Sequence, residues 1–198
     1  MIRQDSISKV LTILAVMITL YLSTYQTTTV ALFPAVLLIT GIVLQFFLLR
    51  RVETVDSVFE PETAWNIGFY TLLALAGIGL GSIISPALAK AVPVQKMQLT
   101  GMDAVLYSVL ISIAEEQFFR GAITNFLLSM FPPSMAVLGS AAIFTAYHLA
   151  VYGTEASALI YVFVGGAVLA FVAYRSGRLS PACLAHMFNN VLSFVRWV

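Results

Sequence analysis

The chain has 198 residues, of which 60% are hydrophobic and 10% charged, with a mean hydropathy of +0.96. Soluble domains carry roughly 25% charged residues, so this balance excludes an ordinary soluble fold and points to a membrane protein. A formal net charge of +1 without any basic run argues against a nucleic-acid partner, and the single cysteine, Cys183, rules out an internal disulfide.

The expected fold class is all-α: one polytopic transmembrane helix bundle over residues 1–198, with about seven spans and an intramembrane polar site. From Val10 to Leu49 there is no charged residue. That run is about twice the ~20 residues one spanning helix needs, so it predicts two helices with the polar cluster STYQTTT as their turn. No cleavage site follows the first apolar run, which is expected to stay as a transmembrane helix. Arg50 and Arg51 mark the end of the second span, and RVETVDSVFEPETAW reads as a solvated loop or a helix on the membrane surface. The third span begins at Trp65 and runs to about Pro86. Its glycines at 77, 79 and 81 follow no strand, so a nucleotide fingerprint is rejected in favour of small-xxx-small packing through Gly77 and Gly81.

A loop with Lys90, Pro93 and Lys96 leads to a long fourth span from Met102, expected as one helix to Phe131, where Pro132 and Pro133 stop it. The fifth covers Ser134 to Tyr152, the sixth Ser157 to Tyr174 and the seventh starts at Leu179. With the N-terminus inside, Arg3, Lys9, Arg50, Arg51, Arg120, Arg175 and Arg178 fall on the cytoplasmic side against Lys90, Lys96 and Arg196 outside, as the positive-inside rule requires.

The fourth span carries the anomaly, ISIAEEQFFRG. An ionised side chain near the bilayer centre costs at least about 2.5 kcal/mol, so three charges in one apolar helix need a use. Glu116 and Arg120 are four apart in the favourable order for an ion pair. Glu115, about 100° round the helix, is left without a partner in its own span and is a candidate general base or acid. A structural ion-pair cluster is the competing reading.

Both histidines of the chain, His148 and His186, fall inside predicted spans. One intramembrane histidine reads as interhelical glue; two at the depth of a lone glutamate read as a site. With about 1.5 Å of rise per residue, Glu115 lies roughly 24 Å and His148 roughly 21 Å from the connection between spans four and five. His186 and Asn190, four apart, face one way from the seventh span. Phe144, one turn before His148, is expected to pack on its imidazole, while Asn125 and Asn189 read as polar glue. Glu115 with His148 can activate a water for attack on a peptide carbonyl, and His186 with Asn190 can donate to the oxyanion. No H-E-x-x-H, no lysine within a span and no aspartate pair is present.

EEQFFR, FTAYH and HMFNN together resemble the E-E-x-x-x-R, F-x-x-x-H and H-x-x-x-N motifs of the CAAX protease and bacteriocin-processing family of intramembrane endopeptidases, which includes the type II CAAX prenyl endopeptidases. The resemblance covers about Met102 to Asn190, within a catalytic core expected over residues 101–198, with residues 1–100 supplying three generic spans. It implies Glu115, His148, His186 and Asn190 as catalytic, and Glu116 and Arg120 as supporting. It also implies a peptide or protein substrate, prenylated or of bacteriocin type, and no cofactor. The expected setting is the cell membrane, with the lipid bilayer as partner and a site open to the cytoplasm. Two alternatives stand beside it: an open zinc site made by one glutamate and two histidines, and a non-enzymatic scaffold, immunity protein or proton relay.

Overall fold

The computed structural model describes residues 2–23, 32–48, 63–84 and 101–195, and every regular element among them is a helix. Helix α1 spans Ile2–Ser23; α2 spans Leu32–Val43 and widens into a π-helical turn over Leu44–Leu48. Helix α3 covers Ala64–Ile84. Helix α4, Gly101–Glu116, passes without interruption into a π-helical segment, Gln117–Thr124, and then into the single turn α5, Asn125–Leu128. Helices α6, Pro133–Tyr152, α7, Ala156–Ser176, and α8, Ser180–Val195, complete the described chain.

The punctuation is chemical. Pro133 opens α6 at a position where the missing N–H costs no helical hydrogen bond. Gly177, at φ 71°, takes the left-handed conformation that ends α7 between Ser176 and Arg178. Hydroxyls within the apolar helices satisfy themselves on the carbonyl four residues back, as with Thr19 on Ala15, Ser108 on Ala104 and Thr145 on Ala141, each at 2.8 Å.

Two helices are found where the long uncharged N-terminal run predicts them. The proposed turn at 24–29, Arg50, Arg51, the mixed segment up to residue 62, the loop carrying Lys90, Pro93 and Lys96, and Arg196 all lie outside the described residues. The expected single helix from Met102 to Phe131 is corrected in two respects. It ends at Leu128, where Ser129 Oγ donates to the Phe126 carbonyl at 2.6 Å, and its middle is π-helical rather than α. The wider π turns advance less per residue, so the ~24 Å depth estimated for Glu115 from the α-helical rise is an upper bound.

Helices α3, α6 and α7 are long and apolar enough to cross a membrane. Their outward faces carry large apolar side chains such as Leu72, Leu80, Leu138 and Ile160. The interior of α4, its π segment and α5, by contrast, buries Ser112, Glu115, Glu116, Gln117, Arg120 and Asn125. Apolar outside and polar inside is the arrangement a bilayer selects, because lipid solvates hydrocarbon and leaves polar groups to one another.

Two apolar cores flank this polar interior. One joins α2, the π segment and α6 through Leu37, Phe118, Phe119, Ile123 and Phe144; the other joins α3, α7 and α8 through Ile78, Leu169, Val172 and Cys183. Close approach depends on glycine. A Cβ on Gly77 would lie 2.8 Å from Val168 Cγ1 and one on Gly81 3.0 Å from Val164 Cγ1, so α3 and α7 mesh antiparallel through the predicted small-xxx-small pair. At Gly41 a Cβ would come within 2.9 Å of the Phe118 backbone, so α2 lies directly against the π segment.

Candidate active site

The π segment begins at the residue after Glu116, and its widened turn is held from the side. Thr124 Oγ1 lies 3.0 Å from the Phe119 carbonyl, five residues back, and 2.8 Å from Ser140 Oγ on α6, which is itself 3.3 Å from that carbonyl, so one hydroxyl donates to the other and the second proton goes to the carbonyl. Gln117 donates its side-chain amide to Gln45 in the π turn of α2. Departures from α geometry of this kind gather at functional sites because they re-aim side chains.

Arg120, fully buried, points back along α4 and places Nη1 3.1 Å from Glu116 Oε1. Its Nη2 donates to the Gly166 carbonyl on α7 at 3.2 Å, and its guanidinium carbon lies 4.3 Å from the centroid of the Phe144 ring. Gly166 makes this possible, since a Cβ there would stand 3.0 Å from Phe144 Cδ1. The Glu116–Arg120 pair read from the sequence is therefore formed, and it is tied to α6 and α7 as well as to itself.

His186 on α8 lies between the two glutamates. Its Nδ1 is 2.7 Å from Glu116 Oε1 and its Nε2 3.5 Å from Glu115 Oε2. With Nδ1–H donated to Glu116, a neutral ring would set the Nε2 lone pair against a carboxylate. A proton on Nε2 or on Glu115 relieves that opposition. Glu115 Oε1 accepts a 3.2 Å hydrogen bond from the Tyr147 hydroxyl of α6. One turn away Asn190 donates to Ser112 Oγ at 3.0 Å, while Ser112 itself donates to the Ser108 carbonyl at 2.7 Å. His186 and Asn190 thus face α4 together, as their spacing predicts, with α8 running antiparallel to it.

His148 makes its contacts within α6. It is half-buried, its Nδ1 lies 2.9 Å from the Phe144 carbonyl, and its ring packs on Phe144 at 4.4 Å and on Tyr152 at 5.7 Å, all on its own helix. The imidazole seated on Glu115 is that of His186. Phe144 connects the two histidines, its ring centroid standing 6.0 Å from that of His186. Asn125 donates to the Gly121 carbonyl at 2.8 Å, and Asn189 accepts from Tyr161 at 2.6 Å. The first of these bonds stays within one helix, and the second joins α7 to α8. Sequence reasoning missed Tyr147 and Ser112: the first stands in FTAYH beside the histidine, and the second lies one turn before Glu116.

Among the described residues no group of three or more histidine, cysteine, aspartate and glutamate side chains is disposed to hold a metal ion. Both nitrogens of His186 face carboxylates, and His148 turns Nδ1 to its own backbone. The donor set does not converge as an open zinc site requires.

Fold and site together define a helical integral membrane protein with an acid–histidine cluster buried among its helices. Residues 98–192, which hold every residue of the cluster, match the family model described as Type II CAAX prenyl endopeptidase Rce1-like. No curated protein and no solved structure matches the chain.

Proposed function

We propose that the protein is a seven-span intramembrane endopeptidase in which Glu115 takes a proton from water and the resulting hydroxide attacks a peptide carbonyl. The observation that carries this is the seat of Glu115, buried between the Tyr147 hydroxyl and the His186 imidazole while the neighbouring Glu116 carries the pairing with Arg120. A buried carboxylate beside an already paired one is free for proton transfer.

His148 supports the same reading. With Nδ1–H donated to the Phe144 carbonyl, Nε2 is an acceptor suited to hold the water's second proton. The oxyanion that forms at the carbonyl takes donors from the second N–H of Asn190, whose first is held by Ser112, and from His186 Nε2 in the form that carries a proton there, its Nδ1–H being held by Glu116. Glu115 then returns the proton to the leaving amine, and no metal takes part. The substrate class is a prenylated CAAX-type C-terminus, cut at a site open to the cytoplasmic side of the cell membrane. The match of residues 98–192 to the type II CAAX prenyl endopeptidase family model supports this choice.

The test uses purified full-length protein and an internally quenched peptide with an S-farnesyl cysteine three residues from its C-terminus. Wild-type protein is expected to cleave it, and Glu115→Ala to lose at least about 100-fold in kcat, as removal of a proton-transfer group does. Full activity in Glu115→Ala, or an intact peptide after exhaustive incubation with wild type, sinks the proposal.

A further inference from the structure

Tyr147 has no part in the chemistry as written above, yet its hydroxyl is the group from α6 that touches the reacting carboxylate. We infer that Tyr147 is a positioning residue for Glu115: its phenol pins one carboxylate oxygen and thereby sets the direction in which the other lone pairs meet the water. The inference rests on Glu115 being the water-activating group.

A glutamate side chain has a broad, roughly two-fold terminal torsion, so an untethered carboxylate turns easily about its last bond. Here Oε1 accepts from Tyr147 at 3.2 Å while Oε2 faces His186 Nε2 at 3.5 Å. Partners on both oxygens, from α6 and α8, block that rotation. The phenol occupies one of about four acceptor positions on an ionised carboxylate, so sites remain for the water and its proton.

The ring is fixed as firmly as the carboxylate. Tyr147 is 2% exposed, tilted against Phe119 at 5.2 Å and edge-on to the adjacent His148 at 4.9 Å. Packing of that kind would be served equally by phenylalanine, which carries no hydroxyl to desolvate. The bond to Glu115 is one that only the hydroxyl can make. Because Tyr147 and His148 are consecutive on α6, the same half-turn aligns the carboxylate and presents the second histidine.

Tyr147→Phe keeps the ring and removes only the donor. On the same farnesylated reporter, kcat is expected to fall about tenfold with KM and the thermal melting of the purified protein unchanged, since the lost contact serves the transition state and not substrate binding. Wild-type kcat in Tyr147→Phe, or a raised KM accompanied by lowered melting, overturns the inference. Failure of the underlying reading shows separately, as full activity in Glu115→Ala.

Discussion

At the scale of single residues, adjacent glutamates of the same type have different partners. Glu116 Oε1 receives both Arg120 and His186, whereas Glu115 receives the Tyr147 phenol and the more distant face of the same imidazole. Glu116 is thus more than the helix-holding partner that the i,i+4 spacing suggests, because it also fixes the tautomer and roll of His186. Ser112 plays the matching part for Asn190 by accepting one amide N–H. Ser112→Ala is expected to lower kcat on the reporter about fivefold. The accompanying loss of stability is about 1 kcal/mol, the usual net worth of one hydrogen bond, read by thermal unfolding in detergent.

At the scale of elements, the π segment Gln117–Thr124 decides where the charges point. Its turn is braced by Thr124 and Ser140 and backed by α2, whose Gly41 has no room for a side chain against the Phe118 backbone. Gly41→Val is expected to push α2 away from the segment. The cost is about 1–3 kcal/mol of overpacking strain, and reporter cleavage should fall because the Glu116–Arg120 pair shifts with it. Thermal unfolding and turnover measured on the same preparation check both effects. Nothing in the residue pattern EEQFFRGAIT announces this geometry. A π turn differs from an α turn by one residue in its hydrogen-bond reach, and side chains on α2 and α6 select it.

At the scale of the whole molecule, α4, α6, α7 and α8 each contribute to one buried cluster: both glutamates and Arg120 from α4 and its extension, Tyr147 and Phe144 from α6, the Gly166 carbonyl from α7 and His186 from α8. In lipid such a cluster holds together because the bilayer offers its members no polar partners. The proposed chemistry needs no ion. Turnover is therefore expected to survive exhaustive chelation with substoichiometric zinc by metal analysis, and loss of activity restored by added zinc would contradict it.

The sequence by itself determined the helical membrane class, the places where most helices begin and end, the Glu116–Arg120 pair and the shared face of His186 and Asn190. Each of these depends on composition or on spacing along one helix, and helical periodicity is a local property. Only the tertiary structure decided which histidine sits on Glu115. Depth along a span is readable from rise per residue, but the rotation of one helix against another is not. His148 and His186 are both near the right height, and the packing of Phe144 over Arg120 and of α8 against α4 seats His186 on the carboxylate. Tyr147 and Ser112 stayed hidden for the same reason: their roles depend on contacts between helices that no single helix specifies.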